Sequence, residues 1–208
     1  MRRAPMLAVL LMVFAAPPAW SHPHVWIDVG ATLHMSADGA LSAVAIDWTF
    51  DELYSEDTLI NTPGRTPEDV RAILSDVVEN LTPWLFFTDV RVDGTRVPFG
   101  AVTTYDSDWR DGRLIYSFLL PLTQPVNPAA HAVEVRFYDP TFYIDIAVPR
   151  GQTVAIQPAG SGCVAERHPA PDKPDILILS DLYRTVPVEP GGKGIGFDYA
   201  EVWRMVCE

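Results

Sequence analysis

Cysteine is scarce in this chain: Cys163 and Cys207 are the two among 208 residues. They allow at most one bridge. In an oxidising compartment two cysteines of one exported domain usually pair, which would tie the C-terminal strand to the chain after residue 160. The alternative use is a thiolate metal pair. Positive charge is also short, with 15 Lys and Arg against 27 Asp and Glu and a net charge of −12. That balance argues against nucleic acid and anionic membrane surfaces as partners. After residue 21 no apolar run is long enough to span a bilayer, so the processed chain is not expected to be membrane-spanning. No internal repeat is present.

What is present begins at the N-terminus. Residues 1–21 read as a secretory signal peptide. Arg2 and Arg3 supply the positive start, Met6 to Ala16 the apolar run, and Ala19-Trp20-Ser21 the small-residue cleavage site. No cysteine stands at that site, which argues against a lipid anchor. Cleavage after Ser21 would send residues 22–208 to the periplasm as one domain and make His22 the first residue. The leader takes two cations and no acids with it, so the remainder is more acidic still.

The new terminus would carry a free α-amine, the His22 imidazole and, beyond Pro23, the His24 imidazole. These nitrogen donors suit zinc, copper, nickel or cobalt. Pro23 has no N–H, which weakens the square-planar mode that needs a deprotonated amide at the second residue. Two modes remain. One is a histidine brace of amine and imidazoles, and the other is two imidazoles plus a carboxylate. The plainer alternative is a polar terminus with two exposed histidines.

The carboxylate follows from strand parity. Val25 to Met35 alternates in polarity, Asp38-Gly39 is a preferred two-residue hairpin loop, and Leu41 to Phe50 returns. Val25, Ile27, Val29, Ala31 and Leu33 share a face with Val44, Ile46, Trp48 and Phe50 only if Ala37 opposes Ala40 and Trp26 opposes Asp51. The other face then carries His22, His24, Trp26 and Asp28 beside Asp47, Thr49 and Asp51. Asp51 lies diagonal to His24. The metal ligands are therefore expected to be His22, His24 and Asp51. Asp28 and Asp47 are second-tier residues that could orient an imidazole. Asp51 has an ordinary alternative role as a helix N-cap, and Asp28 and Asp47 as part of a solvated face.

Two helices are expected next, Glu52 to Ile60 and Pro67 to Leu81, the second capped by Thr66 with Pro67 in its first turn. Strands follow at Phe86–Val92 and Arg96–Phe99 around Asp93-Gly94, and at Val102–Trp109 and Arg113–Leu120 around Asp111-Gly112. Ala132–Tyr138 and Phe142–Val148 surround Asp139-Pro140, and Thr153–Gln157 comes after. Asp175–Arg184 has a helical pattern, and Phe197–Val206 reads as a last strand. The fold class is mainly β (α+β), an antiparallel β-sandwich-like domain with an inserted helical pair.

The aromatic run Tyr138 to Asp145 reads as a core hairpin with an Asx-turn at Asp139, and Asp139 is a further second-tier ligand candidate. His34, His131 and His168 have no partner in spacing and read as surface or core residues. Gly191-Gly192-Lys193-Gly194 lacks the spacing and the Ser or Thr of a phosphate loop. Spacing assembles no Ser-His-Asp or Cys-His set, so no catalytic residue is expected.

His22-Pro23-His24-Val25-Trp26-Ile27-Asp28, Trp48-Thr49-Phe50-Asp51-Glu52-Leu53-Tyr54-Ser55, Val92-Asp93-Gly94 and the Tyr138–Asp145 run together resemble one family. It is a domain-of-unknown-function family regarded as the periplasmic component of an uncharacterised ABC-type metal transport system. The resemblance implies a partner among nickel/cobalt-type inner-membrane permeases and a role in transition-metal uptake. Relatives carry an Asp/Gly-rich insertion between the two helices that looks like a calcium loop. Here Asn61-Thr62-Pro63-Gly64-Arg65 has no carboxylate ladder, so calcium is not implied. A long His-rich loop is also missing, so a high-capacity store is not expected.

The expectation is therefore a periplasmic protein, not an enzyme, that binds a transition metal, zinc foremost, and supplies it to a permease. A copper histidine-brace redox enzyme and a metal-free transporter subunit are the alternatives.

Overall fold

The computed structural model describes residues 25–171 and 188–208. The paired histidines and the expected Asp175–Arg184 helix lie outside the described residues.

Alternating polarity produces the first hairpin. Strand β1 (Val25–Met35) and strand β2 (Leu41–Phe50) pair antiparallel, with Ile27 opposite Phe50 through His34 opposite Ala43. This is the register that parity demanded, and both apolar sets are buried. The turn differs from expectation. Ala37 does not oppose Ala40 across a two-residue loop. The Ser36 N–H donates to the Ala40 carbonyl and the Gly39 N–H to the Ser36 carbonyl, so the loop holds three residues. Only Gly39 has positive φ there, whereas a two-residue type I′ loop needs it twice. The Ser36 hydroxyl, bonded to the Ala40 carbonyl and to Asp38, holds the wider loop. A register shift at His34/Met35, with Ser42 as the additional residue, restores the parity.

Helix α1 spans Glu52–Asn61. The expected second helix is two, α2 (Pro67–Ala72) and α3 (Leu74–Leu81), separated at Ile73. Thr66 and Asp69 close a capping box at the start of α2. The apolar stripe is kept across the break, with Val70, Leu74 and Val78 buried.

Strand β3 begins at Thr88 and ends at Val92, not at Phe86 as the pattern suggested. Leu85, Phe86 and Phe87 all take positive φ, which L-residues disfavour. The turn they form drives Phe86 into the core and stacks Phe87 on Trp48 at 5.7 Å.

Strands β4 (Thr95–Arg96), β5 (Thr104–Arg110), β6 (Arg113–Val126), β7 (Val133–Phe137), β8 (Ile144–Ala147), β9 (Ala155–Gln157), β10 (Cys163–His168) and β11 (Val202–Cys207) complete the fold. The expected final strand is shorter, because Ile195–Phe197 form a 3-10 turn. The strands make two sheets. One runs β5-β6-β2-β1-β8, with β9 also on β1, and the other β10-β11-β7-β3-β4. Val29, Val44 and Trp48 from the first share one buried cluster with Val90, Val135 and Trp203 from the second. The protein is thus a mainly β, sandwich-like domain with its helices inserted after β2.

A further expectation fails. Tyr138 to Asp145 is no hairpin, because β7 and β8 belong to different sheets. The run carries the chain across the sandwich, and β8 pairs parallel with β1. No helix among the described residues is long and apolar enough to cross a membrane.

Candidate metal centre

The candidate site forms where β1 begins. Asp51 follows β2 and caps α1. Its Oδ1 accepts the Tyr54 N–H at 2.8 Å and its Oδ2 the Trp26 N–H at 3.0 Å. Its own N–H donates to the Trp26 carbonyl at 3.0 Å. The Asp51 carbonyl accepts the Ser55 hydroxyl at 2.6 Å, and Ser55 Oγ in turn accepts the Leu114 N–H. The N-cap role is therefore real, and it fixes the carboxylate at the root of the strand. A carboxylate offers about four lone-pair sites. Two are used by these N–H groups, so capping and ligation are compatible.

His22 and His24 lie outside the described residues. Trp26 itself is 48% exposed on the face expected for the site.

The second-tier residues go elsewhere. Asp28 is gripped by Arg113, with Nη2 at 2.9 Å, while Arg113 Nε donates to the Phe50 carbonyl at 2.6 Å. Asp47 accepts the Ser117 hydroxyl. Both acids line a shallow groove shared with Thr49, Arg110, Arg113 and Gln152. Asp139 is buried, and its two oxygens accept the N–H groups of Thr141, Tyr143 and Ile144 at 2.8–2.9 Å. The Asx-turn is as expected, but its task is to shape the crossing between sheets.

Asp145 is a residue that sequence reasoning did not place beside Trp26. In the parallel β1·β8 pair it stands opposite Trp26. Asp51 and Asp145 therefore flank Trp26 from the two neighbouring strands. The alternation of Ile144, Asp145 and Ile146 marks Asp145 as facing away from the core, but nothing in the sequence names β1 as its neighbour.

The remaining histidines have other partners or settings. His34 pairs with Ala43 at the far end of β1. His131 Nδ1 lies 2.7 Å from Asp93. That hydrogen bond, with the Ala132 N–H, holds the Asp93 carboxyl below its ordinary value. His168 ends β10 opposite Val202, with Nε2 buried and unpartnered. Cys163 and Cys207 oppose each other across β10 and β11 and form a disulfide with a Cα–Cα distance of 4.0 Å. That state leaves no thiolate for a metal. Among the described residues, no three His, Cys, Asp or Glu side chains converge as a metal site.

Comparison with known proteins adds the family. A family model described as a protein of unknown function, DUF1007, matches residues 7–207. An uncharacterised protein of Haemophilus influenzae is 23% identical over 194 residues, which cover 91% of this chain and 94% of the relative. An uncharacterised 15.5 kDa protein in the trpE 3′ region of Spirochaeta aurantia is 30% identical over 91 residues. That match covers 43% of this chain and 64% of the relative.

Proposed function

This chain belongs to the DUF1007 family, and from that premise we propose that it is an exported protein that binds a transition metal and hands it to an inner-membrane permease. Zinc is the foremost cargo, with copper, nickel and cobalt as alternatives. The ligands are His22, His24 and Asp51, after cleavage at Ser21 in the periplasm.

The observation that carries the reading is the tie between Asp51 and Trp26. A fixed carboxylate stands at the strand residue from which the His-Pro-His segment departs. Two imidazoles and a carboxylate match a three-ligand zinc site whose fourth position is left to water or the α-amine. An exchangeable fourth ligand suits a protein that must release its ion. The disulfide agrees with an oxidising compartment.

The test is chelator competition with exported, untagged protein. His24→Ala should weaken zinc binding at least ~10-fold, and His168→Ala should leave it unchanged. Equal zinc affinity in parent and His24→Ala would overturn the assignment. A bound copper ion that cycles with reductant would favour a redox enzyme instead.

A further inference from the structure

We propose that the β5 edge of the first sheet is a strand-pairing surface for a second copy of this chain, and that Asp106, Asp108 and Arg71 hold it closed.

β5 is the end strand of its sheet and pairs with β6. Arg110 faces Arg113 across the two-residue Asp111-Gly112 turn. The pair that closes such a turn exchanges both of its hydrogen bonds, and bonded pairs alternate with open ones along the strand. Arg110, Asp108 and Asp106 therefore direct their N–H and carbonyl groups to β6. Trp109, Ser107 and Tyr105 direct theirs to the open side. An open row of this kind invites a further strand.

Side chains close the row. Asp108 Oδ1 accepts the Trp109 N–H and Asp106 Oδ1 accepts the Ser107 N–H, both at 2.8 Å. The Ser107 carbonyl accepts Arg71 Nη2 of α2 at 2.7 Å, and the same nitrogen lies 2.8 Å from Asp106 Oδ1. Arg110 Nε braces the second acid, donating to Asp108 Oδ2 at 3.0 Å. Two N–H groups and one carbonyl of the open row are thus occupied by neighbouring side chains. Arg71, Asp106 and Asp108 are each more than half exposed, so they can swing away without unpacking the core.

The occupant follows from the strand's own sequence. Tyr105-Asp106-Ser107-Asp108-Trp109 places an aromatic residue at each end and an acid on each side of Ser107. An antiparallel second β5 centred on Ser107 puts Tyr105 opposite Trp109 twice, and aromatic cross-strand pairs favour pairing. The same register puts Asp106 opposite Asp108 twice, and like charges directly opposite work against it. Sliding one copy by two residues in either direction still sets an aspartate against its own counterpart. The Trp109 N–H and Arg110 hold the Asp108 carboxyl below its ordinary value, which keeps that charge in place at neutral pH. The edge therefore carries aromatic residues suited to self-pairing and acids that prevent it.

The parent and an Arg71→Ala/Asp106→Ala/Asp108→Ala variant are compared by light scattering over a concentration series and by hydrogen exchange. The variant should pass from one chain to two as concentration rises, with the 104–110 peptide gaining protection in step, while the parent stays at one chain. Adding Tyr105→Pro removes a donor of the open row and should return the variant to one chain. In the parent alone, the Ser107 and Trp109 amides, corrected for intrinsic rates, should exchange at least ~3-fold more slowly than Tyr105, whose N–H follows Thr104 instead of an aspartate. A triple variant that keeps the parent's protection in β1 and stays at one chain overturns the proposal. So does a dimer that Tyr105→Pro does not dissociate, or a parent that already pairs through 104–110. Equal exchange of the three amides in the parent overturns it even where the triple variant fails to fold.

Discussion

Asp51 and Trp26 exchange two hydrogen bonds at 3.0 Å, one through the Asp51 N–H and one through its carboxylate. The same carboxylate caps α1 at Tyr54. The proposed metal ligand Asp51 is thus also a structural residue, and the two roles separate by experiment. Asp51→Asn keeps one oxygen for the α1 cap but gives up the acceptor of the Trp26 N–H and should lose about 1 kcal/mol of stability, whereas Asp51→Ala gives up both acceptors and should lose about 2 kcal/mol. Urea unfolding of the metal-free protein measures this difference. Zinc affinity should fall in both variants.

A second prediction concerns Asp89, which is 1% exposed on β3. Burial pushes its carboxyl up, but Arg96 at 2.6 Å and Arg91 at 2.8 Å outweigh this and hold it below the ordinary value. Tyr138 donates to the same carboxylate, and burial beside that negative charge pushes the phenol up to about 12. A lowered carboxyl stabilises the fold above its unfolded value and loses that contribution as pH falls through the lowered value. Stability should therefore decline on acidification below the ordinary aspartate range. Asp89→Asn should cost about 3–5 kcal/mol at neutral pH, since it strands two guanidinium groups. It should also flatten the acid limb in denaturant titrations at stepped pH.

The disulfide yields a third. Cys163 and Cys207 are 44 residues apart in sequence, and their bond closes that loop in the unfolded chain. The double Cys→Ser variant should be less stable by about 2–4 kcal/mol. Unfolding at fixed temperature measures it. Thiol titration of the unreduced, unfolded parent should find no free thiol.

The fourth is the mature terminus. Intact mass of the exported protein should correspond to a chain beginning at His22. A start at any other residue removes the α-amine from beside the imidazole and eliminates the brace geometry.

The place of Asp51 beside Trp26 was legible because polarity alternation reports which face a strand residue occupies. The face assignment alone paired Trp26 with Asp51, although the loop that was meant to enforce it is one residue longer. Two-residue turns at Asp93-Gly94 and Asp111-Gly112 were legible for a similar local reason. Both residues of each take positive φ, which Asp-Gly tolerates.

What the sequence by itself determined is therefore local: the faces of β1 and β2, the Thr66 cap, the tight turns and the single possible cysteine pair. Tertiary structure alone decided which strands are neighbours. Parity tells that Asp145 points outward from β8, but not that β8 lies parallel beside β1, because a crossing between sheets leaves no periodic trace. Likewise, nothing near Asp28 in the chain reveals Arg113, 85 residues away, which turns that acid from a candidate partner of histidine into an ion pair. The left-handed run Leu85–Phe87 was hidden for the opposite reason. Its conformation is locally unfavourable, and only the burial of Phe86 and the stacking of Phe87 on Trp48 offset the strain.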